Sequence, residues 1–550
     1  MKRLFIYVTK TIPLLIFAFL LSACGSESST APALVETTFT PSLNGFNFAN
    51  DGSLDSSLIE DADIAMMYGV ANSCYRQSSD SCNLNAYGKY KKISAALRQQ
   101  GGQCYGFAVA STMLHDERYD FESKRVPSDY DSNANYAAEL SKESVERLIV
   151  LMSMNQFTPH IREHLRTCKT KDILSHFNDL RTRMQNQESI ALIAIYRING
   201  GGGHVLTPYK IAQEGDIAKI YVYDSNYPLQ NGLYIEVNLK EGSWRYDAGR
   251  VMATDSESTL YRGEGYANPF CSVALSQTQS LKIEDDTHSD MVSIDLYGQA
   301  SQVRVAIFDT QERIVGYDFR TNSYAMDIPG ATEEPRLDSM PSLYKIPVSP
   351  HLSDIETIES TEEFMSYISE LLFVAVGSTP QKEPINERVA LSMQSRGDGF
   401  RSSLMFRDII MNENTQERNS TLALAFHPKG RFMMFDKERK EDPMPTIELY
   451  YDDDVKQEGA VHTITLRSMQ ENIRIGFMIE ALDRISVFAM EREGDEFYEL
   501  ERFVDYEIRS VLNSSNRSTT SRFRQKVGSA YRLNLEQKRA RSSDVMQRLF

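Results

Sequence analysis

Cys104 lies in the run Gln99-Gln100-Gly101-Gly102-Gln103-Cys104-Tyr105-Gly106-Phe107-Ala108, His204 in Gly203-His204-Val205, and Asp224 in Tyr223-Asp224-Ser225-Asn226. Thiol, imidazole and carboxylate in that order suit covalent acyl transfer. The sulfur attacks, the imidazole takes and returns a proton, and the carboxylate orients the ring. A thiol is a poor nucleophile at neutral pH because most of it is protonated; a helix N-terminus and a neighbouring imidazolium both favour its anion. Gly101-Gly102 before Cys104 and small residues after it suit a tight loop entering a helix, and Gly106 lets another segment approach closely. His204 follows four glycines, Gly200 to Gly203. That run is not a phosphate loop, since no Gly-Lys-Ser/Thr follows it. Asp224 ends the next expected strand, and Asn226 is an alternative orienter of the ring.

Several elements must position these groups. Helices are expected over 93–100, 107–114, 142–154 and 170–184, from apolar residues at helical spacing. Strands are expected over 189–196, 204–211, 218–223 and 233–239, the second and third joined by the turn Gln213-Glu214-Gly215-Asp216. From about Leu281 the pattern changes to short alternating runs, such as Val303-Arg304-Val305-Ala306-Ile307-Phe308, which read as antiparallel β-sandwich strands. A helix is expected near 362–373, and Ser378 to Pro384 reads as a linker. The expected organisation is thus a signal segment over 1–23, a tether over 24–50, a mixed domain over 51–275, a β-rich domain with a helix over 276–380, a β-sandwich over 385–508 and a basic tail over 509–550.

The segments around Cys104, His204 and Asp224 together resemble the papain-like cysteine peptidase superfamily, and within it the bacterial double-glycine leader peptidase-like domains. The resemblance covers about Gly101 to Pro228. It implies an α+β papain-like domain, a helical half plus an antiparallel sheet, followed here by one or two antiparallel β-sandwich domains. It also implies Cys104 as nucleophile, His204 as general base and acid, and Asp224 as orienter. The oxyanion hole would combine the Cys104 backbone N–H with a glutamine side chain. In the family that glutamine lies six residues before the cysteine, where this chain has Arg98. Gln99 and Gln100 are the first substitutes, with Gln103 behind them.

The chain starts with Lys2, Arg3 and Lys10 around the apolar run Ile12 to Leu21, too short to span a bilayer but suited to a signal segment. Leu21-Ser22-Ala23-Cys24-Gly25 resembles the bacterial lipoprotein box, which implies cleavage before Cys24 and lipidation of its thiol. Gly25 in place of aspartate leans towards an outer-membrane or cell-surface anchor over the inner membrane. Cys74, Cys82, Cys168 and Cys271 remain, an even number suited to an oxidising compartment. Cys74 with Cys82 makes a local disulfide, and Cys168 with Cys271 follows by elimination. No cysteine or histidine spacing points to a metal, and no cofactor is implied.

The formal net charge of the 550 residues is −17. Loss of Lys2, Arg3 and Lys10 with the signal segment takes this to −20. Such a balance argues against nucleic acid as a partner. The expected function is a membrane-anchored envelope thiol hydrolase acting on a peptide or protein substrate. The alternatives are transglutaminase-like acyl transfer, and a non-catalytic surface lipoprotein whose β domains bind an envelope glycan or protein. His115 and Trp244 read as structural, and Asp452-Asp453-Asp454 as a solvated turn with calcium binding as the rival.

Overall fold

A computed structural model describes residues 33–526 except 51–57, 76–81, 100–101, 117–141, 169, 187–189, 197–202, 248–259, 276–280, 284–289, 299–302, 335–342, 349–369, 379–384, 398–399, 414–419, 429–431, 437–445, 454–457, 469–472, 482–483, 492–502 and 513–516. Cys24, Gln100 and the expected signal segment fall outside the described residues.

The first unit is a curled eight-stranded antiparallel sheet with helices packed on it. Its order runs Cys271–Leu275, Ile190–Tyr196, Gly203–Glu214, Ile217–Tyr223, Tyr234–Asn238, Ser243–Asp247, Leu260–Glu264, and Ala33–Glu36 pairs onto Gly203–Glu214. The continuous apolar run Ala191 to Ile195 is buried on both faces, as a central strand requires. Leu192 and Ala194 enter a core shared with the helices Cys104–Asp116 and Lys142–Met154. Ile193 and Ile195 face a second core, lined by Ala218, Ile220 and Val222 and by the helix Ile173–Asn186. In Ile217–Tyr223 only alternate positions go to that core, the period-two signature of a strand.

Apart from the short pair Cys74–Tyr75 and Asn83–Leu84, the remaining strands form two facing antiparallel sheets of nine and eight strands around one core. Leu296 and Leu391 from one sheet meet Val305 and Val376 from the other in it. The two disulfides pair Cys74 with Cys82 and Cys168 with Cys271, as the sequence suggested. No helix among the described residues is long and apolar enough to cross a membrane.

The α+β papain-like expectation is corrected. The described residues hold 27 strands against eight α-helices, so the chain is mostly antiparallel β. Local periodicity identified individual helices near the cysteine, but it could not reveal how many strands the sheets would recruit. Residues 379–384 do not separate two β units either. Leu372–Ser378 on one side pairs with Ser420–Phe426, and Ile385–Gly397 on the other pairs back with Met291–Gly298. The expected helix near 362–373 lies mostly outside the described residues, and Leu372 and Phe373 open a strand. In the expected basic tail, Arg509–Leu512 and Arg517–Lys526 lie in paired strands. The expected tether is corrected for residues 33–50, which pack on the first unit. Phe46 and Phe48 lie against Phe107, an anchoring that the low charge of the segment concealed.

The helix Ala86–Gln99 joins the two bodies. Asp452, on the strand Thr446–Asp453, accepts the N–H groups of Ala86 (3.1 Å) and Tyr87 (2.6 Å) at the helix start and the Tyr75 hydroxyl at 2.9 Å. It is neither a solvated turn nor free for calcium. Further along, Lys91 Nζ donates to Gln394 Oε1 at 2.9 Å, and the Tyr90 hydroxyl meets Ser392 Oγ at 2.8 Å. Near the helix end, Arg98 donates to Asp295 Oδ2 at 3.0 Å, both side chains buried. An acidic residue at a helix N-terminus is favourable on dipole grounds; here it comes from the other body.

Candidate active site

Cys104 is the first residue of its helix, and Gln103 is the cap: its carbonyl accepts the Phe107 N–H at 2.9 Å. The N–H of Cys104, at a helix start, has no intrahelical acceptor and is free to bind an anion. Residues Tyr105 and Phe107 to Ala110 are buried, so the small apolar run after the cysteine is a central helix, as read from the sequence. Gly106 is required by contact: a Cβ there would collide with the Ile149 carbonyl of the neighbouring helix.

His204 stands near the start of Gly203–Glu214, and Asp224 directly follows the next strand, Ile217–Tyr223. The two strands are joined by a tight turn at Gly215 and Asp216, and Thr207 pairs with Tyr223. The start of one strand and the end of the next therefore lie at the same edge of the sheet. His204 Nε2 and Asp224 Oδ1 are 2.7 Å apart. Cys104 also acts on the ring, raising its affinity for a proton. Since Nε2 is engaged by Asp224, Nδ1 is the nitrogen left for sulfur. Cys104, His204 and Asp224 are thus brought together, and each is buried. Cys104 is also the free cysteine among the described residues.

Burial by itself would lower the affinity of the His204 ring for a proton. The charge and hydrogen bond of Asp224, joined by the influence of Cys104, outweigh it and hold the ring well above the ordinary imidazole range. Burial likewise pushes Asp224 up, but His204, the Tyr246 hydroxyl and the Asn226 N–H together hold it below the usual carboxylate range. These groups suit a buried imidazolium oriented by a fixed carboxylate.

Asn226 does not reach the ring as the alternative orienter. Its backbone N–H donates to Asp224 Oδ1 at 2.8 Å, and its side-chain oxygen accepts from Asn50. Of the glutamines, Gln99 turns away and donates to the Val150 carbonyl at 3.4 Å. Gln103 is fully buried, and neither atom of its side-chain amide has a partner among the described residues. His115 bonds Thr38, and Trp244 donates to the Asn268 carbonyl at 2.9 Å, both structural roles. Sequence reasoning missed Tyr246, whose hydroxyl donates to Asp224 Oδ2 at 2.5 Å. One signal was available: in Ser-Trp-Arg-Tyr-Asp the tryptophan and tyrosine share a face, and a buried tyrosine hydroxyl needs an acceptor. No group of metal-binding side chains occurs among the described residues. Comparison with protein-family models, curated proteins and solved structures finds no match for this chain.

Proposed function

We propose that the chain is a thiol hydrolase that cleaves a peptide or amide bond through an acyl-enzyme. The observation that carries this reading is the His204–Asp224 pair at 2.7 Å, with buried Cys104 at a helix start and close enough to raise the ring's affinity for a proton. The Cys104 sulfur attacks the carbonyl carbon, and the oxyanion meets the Cys104 N–H. Gln103 is the side chain assigned as second oxyanion donor, because it directly precedes Cys104 and its amide is buried without a partner among the described residues. The C–N bond breaks as His204 passes its proton to the leaving nitrogen. Water, deprotonated by His204, then attacks the thioester and releases the acid and the thiol. The reading rests on the geometry of these groups and not on the overall fold. Lipid on Cys24 would hold the enzyme in the bacterial envelope, facing a peptide or protein substrate.

The test is labelling of the full chain by a small thiol-directed probe, with a peptide panel run alongside. Cys104→Ala and His204→Ala should abolish labelling and hydrolysis, and Cys24→Ser should move the labelled protein out of the membrane fraction. Labelling that survives His204→Ala, with no turnover of any peptide, would remove the catalytic reading. Amine incorporation in place of hydrolysis would assign acyl transfer instead.

A further inference from the structure

Three hydrogen bonds converge on Asn50, which no part of the triad argument uses. Its backbone N–H donates to the Ser225 carbonyl at 2.9 Å. Its Nδ2 donates to Asn226 Oδ1 at 3.2 Å. Its Oδ1 accepts the backbone N–H of Gln103 at 2.8 Å. Ser225 and Asn226 form the turn whose backbone holds the Asp224 carboxylate, and Gln103 caps the helix that begins at Cys104. One side chain therefore ties the thiol's loop to the carboxylate's turn, although the two lie 120 residues apart in sequence (224 less 104). Gly102 lies beside the tie: its φ of +104° favours glycine, and a Cβ there would stand in ordinary contact with Asn50 Nδ2 at 3.4 Å.

We infer that Asn50 is a positioning residue of the thiol site, acting through Gln103 and the Ser225-Asn226 turn; this rests on the hydrolase reading above. By taking up the Gln103 N–H, Asn50 leaves the Cys104 N–H as the backbone donor that faces an incoming oxyanion. By holding the turn, it sets the distance between the Asp224–His204 pair and the sulfur. A reacting geometry is sensitive to shifts well under 1 Å.

The experiment is the pH dependence of Cys104 alkylation by iodoacetamide on the full chain, with the melting midpoint measured in parallel. Asn50→Ala should alkylate about tenfold more slowly at neutral pH, with a displaced pH profile. Asn226→Ala, which deletes one contact and leaves the backbone untouched, should shift the profile the same way by less. In the Asn50→Ala background it should add nothing. Should Asn50→Ala fail to fold, Asn226→Ala carries the test alone. A profile superimposable on wild type in a folded Asn50→Ala protein, or in Asn226→Ala alone, would reduce Asn50 to a structural tie and overturn the inference while leaving the hydrolase reading in place. Wild-type alkylation that ignores His204→Ala would overturn both.

Discussion

Arg98 and Asp295 offer the sharpest test of how the two bodies hold together. Their side chains are 5% and 3% exposed, and the guanidinium lies over the Phe157 ring at 4.4 Å. Arg98→Met keeps the length and the apolar stem, and hence most of the packing on Phe157. It removes the charge and leaves the Asp295 carboxylate buried against a thioether. Breaking a buried pair from one side costs about 3–5 kcal/mol, because the surviving charge loses its partner cation where water does not replace it. Set against a typical domain stability of about 5–15 kcal/mol, that is a large fraction. Urea unfolding of the full chain reads the loss. The fluorescence of Trp244, the single tryptophan, reports the curled sheet, and circular dichroism reports the β body. The midpoint should fall markedly in Arg98→Met. It should recover in Arg98→Met/Asp295→Leu, where no charge is left stranded. A single variant within about 1 kcal/mol of wild type would refute the argument. So would a double variant no more stable than the single one.

Two further outcomes concern titration. Asp224 and Cys104 hold His204 protonated above the ordinary imidazole range, so the alkaline limb of the activity profile should lie above pH 6.5. Asp224→Asn should bring that limb down towards the ordinary range and lower the rate; an unmoved limb would show that Asp224 does not set the ring's charge. Burial pushes the Asp452 carboxyl up to about 6, against the N–H of Tyr87, the Tyr75 hydroxyl, the N–H of Ala86 and Arg401, which pull it down. Its folded value exceeds its unfolded one, so the contribution to stability is full below about pH 4 and is lost as pH rises through about 6. The loss is about 3 kcal/mol. Asp452→Asn, which keeps an acceptor for the helix N–H groups, should flatten this slope in unfolding midpoints taken between pH 4 and 7. An unchanged slope would refute the assignment.

Cys104, His204 and Asp224 stood out in the sequence because each had a local setting: glycines before a helix, a glycine run before a strand, and a strand end. The helices 104–116, 142–154 and 173–186 and the strand 190–196 were legible from periodicity, and the disulfides from counting. The overall class was not. Strand number and sheet pairing are non-local, and alternation in a strand such as Leu372–Ser378 carries no mark of its partner Ser420–Phe426. Asn50 and Asp452 were illegible for the same reason. Each acts across more than 50 residues of sequence, on a backbone N–H that any residue type could supply.

Arg98 shows how the local and non-local readings meet. The resemblance called for a glutamine at this position, and arginine there left the oxyanion partner open. In the fold, position 98 is the last-turn side of a helix whose buried face meets the β body, and its side chain goes to Asp295. Asp452 holds the other end of the same helix. Four residues separate Gln99 from Cys104, and Gln103 within that span is held in turn by Asn50. The helix that delivers the thiol's loop is thus fixed at both ends by the β body, and the loop is fixed by the N-terminal segment. An arginine suits that position because it can bury a long stem and still satisfy a carboxylate in a separate sheet. A glutamine there would not supply the cation that Arg98 brings to Asp295. On the hydrolase reading proposed above, the oxyanion amide must then come from elsewhere, and Gln103, one residue before the cysteine, has a buried amide without a partner among the described residues.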